Sequence, residues 1–341
     1  MQLGLKFDLR APTFGASPPE LYAAAIEQCS WADKIGFDVV RFMEHHGSDD
    51  GYCTSPLIMA AAAAVRTRSI RLAARALILP LHDPVRIAED AAVVDVLSNG
   101  RLELVVAGGY VPAEYEMFGK EFRDRPRLVE EGIAALKAAW SGEPFVYRGR
   151  PAHVALRPAR QPRPPIVLGG SSAAAARRAA RLCDGFEPTR ASLFDVYLQE
   201  CDRLGVAPGP PPLPMPRGRF LHVATDPERA WHELGPHLMH ETNSYGKWLA
   251  TAGTGTEYRQ VSSLDELRAT GAYQIVTPAE CVRLARSLGP TGLIEFHPLV
   301  GGADPSIGWA SLRLFESEVL PILRVRGLIA GSGKEETENV V

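Results

Sequence analysis

The chain has 341 residues, of which 46% are hydrophobic, so it is long enough for one large α/β domain with a sizeable core. Its 37 basic and 40 acidic residues give a net charge of −3, which argues against a nucleic-acid-binding or membrane-surface protein. The five cysteines lack the spacing of a zinc site or disulfide framework, and the chain shows neither a secretory leader nor a membrane-spanning run, so we expect a cytoplasmic protein.

Strand and helix signals alternate through the first part of the chain. Short runs of β-branched and aromatic residues predict strands, and proline at the start with glycine at the end marks predicted helices. The predicted strands are residues 3–7, 39–42, 70–79 and 102–106, and the predicted helices are residues 18–35, 56–65 and 84–98. The alternation of strands with helices predicts a parallel sheet.

The remainder continues the rhythm with interruptions. We expect a long loop at 111–125, a hairpin made of 145–147 and 153–156, and later strands at 166–168, 220–224 and 292–297. Two segments depart from the pattern: a Gly/Thr/Ser-rich insertion with aromatic residues at about 237–273, and a Glu/Gly/Ser-rich tail, 331–341, expected to be disordered. We therefore predict one domain, residues 1–330, folded as a (β/α)8 TIM barrel with loop insertions.

Polar residues follow several predicted strands. Glu44, His45 and His46 come directly after the apolar strand 39–42. Burying three ionisable groups without partners costs several kcal/mol, roughly, so they predict a polar pocket. Because the carboxyl ends of parallel strands meet at one rim, other residues should join them there. These are Asp8, Arg75, Gly108, Gly109, Ser171, Ser172, Glu295 and His297.

Two glycine-containing segments predict binding by backbone groups. Gly169 to Ser172 lies at a strand-to-helix junction, where free N–H groups and the positive helix end can hold a phosphate. The same four residues also suit an ordinary helix start. Gly108 and Gly109, before Tyr110, leave room for a flat ring to approach the backbone, although a tight turn would use glycine in the same way.

Taken together, these segments resemble the bacterial luciferase-like flavin-dependent monooxygenases. The resemblance covers nearly the whole chain to about Leu323 and is highly specific as a set. It is carried by Glu44-His45-His46, Leu79 to Asp90, Leu97-Ser98-Asn99-Gly100-Arg101, Tyr110 to Gly119, Gly169-Gly170-Ser171-Ser172 and His297 to Gly302.

The resemblance implies a barrel that binds reduced FMN at its rim. In such enzymes oxygen adds to flavin C4a, and the resulting peroxyflavin oxygenates a small organic substrate. His45 matches the family's acid/base histidine, with Glu44 beside it as a second catalytic candidate. The matching phosphate site is Gly170, Ser171 and Ser172, and the matching contacts of the fourth strand are Gly108, Gly109 and Tyr110.

The resemblance also implies partners. A separate NAD(P)H-dependent flavin reductase would supply the reduced FMN. The alanine-rich second and third helices match the family's dimer surface, so we expect a homodimer.

Two positions depart from the family pattern. Gly108 stands where many relatives place an arginine against the phosphate, and Arg75, followed by Ala76, stands where relatives have a small residue beside the ring. We hypothesise that Arg75 replaces the missing charge and that Ala76 contacts the flavin.

Three other functions fit parts of the sequence. A deazaflavin-dependent oxidoreductase of the same fold would transfer hydride, but that branch usually has Ser-Asp-His after the second strand, where this chain has Glu44-His45-His46. A metal-dependent hydrolase would need His45, His46, Asp83 and His297 as ligands, although adjacent histidines on an extended chain point opposite ways. A catalytically silent flavin-binding relative is the third alternative, because Gly108 and Arg75 depart from the pattern.

Overall fold

The computed structural model describes residues 1–216, 220–252 and 258–329. Its strands are β1 (Gln2–Phe7), β2 (Val39–Phe42), β3 (Arg71–Ile78), β4 (Leu102–Ala107), β5 (Phe145–Tyr147), β6 (Arg150–Ala152), β7 (Ile166–Gly170), β8 (Gly185–Pro188), β9 (Phe220–Val223), β10 (Tyr273–Val276) and β11 (Leu293–Phe296). The tail at 331–341, which we expected to be disordered, lies outside the described residues.

The helices are α1 (Pro18–Ile35), α2 (Pro56–Ala64), α3 (Pro84–Ser98), α4 (Pro112–Met117), α5 (Arg125–Trp140), α6 (Ala173–Leu182), α7 (Ser192–Leu204), α8 (Pro227–Ala252), α9 (Leu264–Ala269), α10 (Pro278–Leu288), α11 (Pro305–Leu314) and α12 (Leu320–Val325). Among the described residues, no helix is both long and apolar enough to cross a membrane.

The main sheet contains seven parallel strands in the order β11–β1–β2–β3–β4–β7–β8. Phe7 lies opposite Phe42, and Phe42 lies opposite Ala74, so neighbouring strands run in register. The loops that follow these strands therefore leave from the same edge of the sheet. We call this edge, where β1, β2, β3, β4, β7 and β11 end, the carboxyl edge.

The parallel α/β architecture is confirmed, and the seven strands form a curled half-barrel. β9 and β10 form a second, two-stranded parallel sheet, and β5 and β6 form an antiparallel hairpin. Within the described ranges, no hydrogen-bonded ladder joins either β8 or β11 to the β9–β10 pair. The closed barrel therefore stays a prediction.

Helix boundaries follow the expected local chemistry. α1 begins with a capping box between Ser17 and Glu20 and ends at Gly36, whose φ of 87° lies in the left-handed region. α3 begins at Asp83, whose side chain accepts hydrogen bonds from the N–H groups of Val85 and Arg86. These polar caps satisfy helix-end groups that would otherwise lack partners.

Four details of the sequence-based prediction were wrong. The expected loop at 111–125 contains α4, and α8 continues through Ala252 into the expected insertion. The strands β8 and β10 were not predicted, and the second hairpin strand lies at Arg150–Ala152 instead of 153–156. The error in α8 has a physical cause. Proline normally ends a helix, but α8 continues past Pro236 because residues such as Tyr245 are buried against the rest of the protein.

Asp33 at the end of α1 holds the loop that leads into β3. Its carboxylate accepts hydrogen bonds from the N–H groups of Arg68, Ser69 and Ile70 at 2.8–2.9 Å, and from the Ser69 hydroxyl at 2.7 Å. Burial alone would raise the pKa of Asp33, but these hydrogen bonds outweigh burial and lower it. The stabilisation is therefore complete above the unfolded-state pKa and is lost as the pH falls through the folded-state pKa.

We predict that Asp33→Ala lowers the free energy of unfolding by about 2–4 kcal/mol at pH 7, since it strands several N–H donors. Asp90→Ala, which removes an exposed ion pair with Arg86, should change it by about 0.5 kcal/mol or less. Urea unfolding of both variants at pH 7 and in mild acid tests this. Equal losses in the two variants, or a cost of Asp33→Ala that grows in acid, would contradict the assignment.

Candidate active site at the carboxyl edge

His45 lies at the carboxyl edge just after β2 and is 6% exposed. Its Nδ1 donates a hydrogen bond of 2.7 Å to Glu114 Oε1, and its Nε2 lies 3.3 Å from the hydroxyl of Tyr110. An ionised carboxylate only accepts, so this contact places the proton of a neutral ring on Nδ1. The lone pair on Nε2 is then directed toward Tyr110.

Glu114 comes from α4, the helix that sequence reasoning missed. The same Oε1 accepts a second hydrogen bond, of 2.9 Å, from the backbone N–H of His46. Glu114 thus fixes both the loop after β2 and the orientation of the His45 ring. The available signal was Pro112 at the first helical position with an acidic residue in the same turn, which is typical of a helix start.

Aromatic side chains surround His45. Its ring centroid lies 4.4 Å from that of Trp248, 4.9 Å from Tyr52, 5.4 Å from Tyr110 and 6.1 Å from Tyr245. We call these four rings the aromatic wall. Trp248 and Tyr245 belong to α8, so the helix that occupies the expected insertion contributes half of the wall. Such a wall covers the imidazole with ring faces and edges and shields it from bulk water.

Glu44 serves other partners. Its Oε1 accepts hydrogen bonds from the Nε2 atoms of His46, at 2.8 Å, and His82, at 2.5 Å, while Oε2 accepts one of 2.5 Å from the N–H of Ile78. Burial by itself would raise the pKa of Glu44, yet these donors lower it. Glu44 therefore joins the loops after β2 and β3, and its catalytic assignment stays a prediction.

The proposed hydrolase ligands are not assembled. His45 faces Glu114, whereas His46 faces Glu44 and His297 faces Asp8. The fourth predicted ligand, Asp83, caps α3. The divergent directions of the adjacent histidines match the argument from an extended chain. Another group, Glu44 with His46 and His82, has ligand atoms close enough for an ion, but direct hydrogen bonds already satisfy its carboxylate.

The predicted flavin contacts lie along the same edge. Gly109 has a φ of 66°, and a Cβ there would lie 2.7 Å from Ile78, so no larger residue fits. Gly170 is equally restricted, since its Cβ would lie 2.5 Å from Ala175. Ser171 and Ser172 are exposed at the start of α6, and Ser172 Oγ accepts a hydrogen bond of 3.2 Å from the N–H of Ala175.

Arg75 lies within β3 and already has acidic partners. Its guanidinium forms an ion pair with Glu187 on β8 and lies 3.9 Å from Glu295 on β11. The peptide bond between Arg75 and Ala76 is cis. A flavin phosphate near Arg75 would have to compete with these carboxylates.

Residues 1–283 match the sequence profile of the luciferase-like monooxygenase family. The chain is 31% identical over 154 residues to the oxygenase component of a flavin-dependent trigonelline monooxygenase from Acinetobacter baylyi, covering 43% of this chain and 42% of that protein. It is 26% identical over 280 residues to a 4-hydroxyprotoasukamycin monooxygenase from Streptomyces nodosus subsp. asukaensis, covering 77% and 76%. The match thus spans less than half of the first of these relatives.

Solved structures share the fold. The monooxygenase RslO1 from Streptomyces bottropensis superposes with a TM-score of 0.76 at 22% identity, covering 94% of this chain and 99% of that one. The oxygenating constituent of 3,6-diketocamphane monooxygenase from Pseudomonas putida, in complex with FMN, gives 0.70 at 20% identity, covering 94% and 98%. An F420-dependent secondary alcohol dehydrogenase gives 0.65 at 16% identity, covering 95% and 99%.

The sequence profile, together with the arrangement at the carboxyl edge, shows that this chain belongs to the luciferase-like monooxygenase family. The resemblance found in the sequence is therefore confirmed.

We predict that Glu114→Ala removes the preference of neutral His45 for the Nδ1–H tautomer, because no other described residue accepts from that nitrogen. Long-range 1H–15N NMR of the histidine rings measures this. Glu116→Ala is the matched control, since Glu116 is exposed on the same helix. Retention of the Nδ1–H form in Glu114→Ala would show that Glu114 does not orient the ring.

Proposed function

We propose that the chain is the oxygenase component of a two-component flavin-dependent monooxygenase that inserts one oxygen atom from O2 into a small organic substrate. The observation that carries the proposal is His45, oriented by Glu114 within the aromatic wall and adjoining Tyr110 at the carboxyl edge. One of the named relatives, the trigonelline monooxygenase component from Acinetobacter baylyi, is itself flavin-dependent.

The residues present fit reduced FMN. Ser171 and Ser172, at the start of α6, are exposed at the carboxyl edge. Ser171, Ser172 and the N-terminus of α6 would hold the phosphate. Gly108, Gly109 and Tyr110, with Arg75 and Ala76 on the neighbouring strand, would border the ring. When bound, reduced FMN supplies the electrons that activate O2.

The chain's own part is to orient, to exclude water and to move a proton. His45 Nε2 accepts or returns the proton, while the hydrogen bond from Nδ1 to Glu114 keeps the ring in place. The hydroxyl of Tyr110 lies 3.3 Å from Nε2 and provides a second group that can exchange this proton. The aromatic wall keeps bulk water away from the reacting atoms and offers flat apolar surfaces to a substrate. Glu44 accepts a hydrogen bond of 2.8 Å from His46 and so fixes the residue next to His45.

The assembly belongs to the same proposal. We propose that β9, lying between β8 and β11, closes the main sheet into a (β/α)8 barrel, and that the protein forms a homodimer through α2 and α3. Apolar side chains exposed on these two helices support the dimer. They are Ile58, Val65, Val93, Val96 and Leu97. Reduced FMN would come from a separate NAD(P)H-dependent flavin reductase.

A deazaflavin-dependent oxidoreductase is the second candidate, and the fold shared with the F420-dependent dehydrogenase supports it. Anaerobic titration of the protein with reduced FMN and with reduced F420, followed by fluorescence, separates the two. Tighter binding of F420, with no oxygenated product, would favour hydride transfer.

We predict that Arg75→Ala weakens reduced-FMN binding about 10-fold, because Arg75, which borders the ring, would also reach the phosphate with one charge-assisted hydrogen bond. Arg86→Ala, an exposed arginine on α3, is the control. Unchanged affinity in Arg75→Ala would remove this residue from the phosphate site and leave that role to the start of α6.

We predict that His45→Asn lowers the rate of product oxygenation about 100-fold or more while leaving reduced-FMN affinity within about twofold, because the imidazole moves a proton and does not hold the cofactor. The measurement follows a 16-dalton mass gain across a substrate panel, with a flavin reductase and NADH. His153→Asn is the control, since His153 is exposed near the hairpin. A variant as active as wild type would refute the role of His45.

A further inference from the structure

His297 lies directly after β11, fully buried, and both of its ring nitrogens face carboxylates. Nε2 is 3.1 Å from Asp8 Oδ1, and Nδ1 is 3.3 Å from Glu241 Oε1. Asp8 follows β1, whereas Glu241 belongs to α8. One imidazole therefore connects two strands of the main sheet to the helix that carries part of the aromatic wall.

The contact of Nε2 with Asp8 is a hydrogen bond, whereas the contact of Nδ1 with Glu241 is an ion-pair distance, and the two carboxylates together favour a positively charged ring. A neutral imidazole has a single N–H, so it would present a lone pair to one of the two carboxylates. Only the imidazolium donates from both nitrogens. Burial by itself would lower the pKa of His297, but the charges of Asp8 and Glu241 outweigh burial and raise it.

The surrounding groups favour the ionised form of Glu241. Burial would raise the pKa of Glu241, but His297, Lys6 and the hydroxyl of Tyr273 bring it down to about 2. Tyr273 donates to Glu241 Oε2 at 2.7 Å. Asp8 also pairs with Arg10, whose Nε lies 3.3 Å away. Lys6 opposes the positive charge on His297, and Asp8 and Glu241 favour it.

We propose that His297 is a positioning residue: as an imidazolium bridging Asp8 and Glu241, it clamps α8 to the carboxyl edge and so sets the aromatic wall over His45. Tyr245 and Trp248 follow Glu241 on α8 at spacings of four and seven residues, which place all three on one face of the helix. The consequence for catalysis rests on the function proposed above, whereas the clamp itself does not.

A second, adjacent link explains why losing the clamp should loosen α8 without releasing it. His240 Nε2 lies 2.7 Å from Asp50 Oδ2, and Asp50 also pairs with Arg10. α8 thus keeps one direct hydrogen bond with the loop after β2 when His297 is neutral. The movement expected is local to the aromatic wall.

The sign of the pH dependence follows from the raised pKa. The clamp is complete below the unfolded-state pKa of histidine, about 6.5, and it is lost as the pH rises through the folded-state pKa. The aromatic wall should therefore be held less firmly as the pH rises above the folded-state pKa of His297.

The experiment measures the protonation of His297 and the environment of Trp248 between pH 6 and 10. Long-range 1H–15N NMR reports whether both nitrogens of His297 carry protons. The emission of Trp248 is obtained as the difference between wild type and Trp248→Phe, because the chain has five tryptophans. We expect one transition, with the loss of a His297 proton and the change in Trp248 emission at the same pH.

Two variants make the test specific. His297→Gln should abolish the emission transition, whereas His232→Gln, an exposed histidine on α8, should retain it. Glu241→Gln removes one of the two carboxylates and should lower the midpoint by about one pH unit or more. This second variant, together with the wild-type NMR, decides the question if His297→Gln does not fold.

Three results would overturn the proposal: a His297 that is neutral at pH 6–7, a transition that persists in His297→Gln, or an unshifted midpoint in Glu241→Gln. Reduced-FMN affinity is measured on the same samples. If His297 titrates as expected but the protein does not bind FMN, the proposed function is refuted and the clamp stands. If the protein binds FMN but the expected titration is absent, the clamp is refuted and the proposed function stands.

Discussion

Charges buried at the carboxyl edge must be paired, and the architecture of the site depends on this constraint. Removing one partner of a buried pair leaves an uncompensated charge that costs about 3–5 kcal/mol. Here the partners come from different elements: Glu114 of α4 with His45, Glu44 with His82, and Arg10 with Asp50. Each pairing fixes one loop relative to another. The edge is thus ordered by its polar contacts as much as by the sheet beneath it.

Regular elements with clear boundary residues could be predicted from the sequence. Proline and glycine bracket α1, and β2 was predicted at its observed limits because an apolar run ends abruptly at Glu44. β8 could not be found in this way, since Gly185 and Pro188 make up half of its four residues and both disfavour strands. The hydrogen bonds of β8 to β7 hold these residues in a strand that their own propensities disfavour.

The site was predictable only in part for a related reason. The sequence indicated that His45 and Tyr110 follow two strands of one parallel sheet, and the structure brings them into contact although β3 lies between these strands. It assigned no role to Glu114, because that residue was placed in a loop, and it placed Tyr245 and Trp248 in an insertion instead of on a helix. Such contacts join residues distant in sequence, and a periodic pattern within one element carries no information about them.

Arg10 contributes a buried cation to the aromatic wall. Its guanidinium lies 4.6 Å from the ring centroid of Tyr52, 4.8 Å from Trp248 and 4.9 Å from Tyr245. Three rings arranged in this way form the kind of box in which proteins capture quaternary ammonium groups. In this protein an internal cation, fully shielded from solvent, already fills the box. The cation that these rings stabilise is thus part of the chain itself.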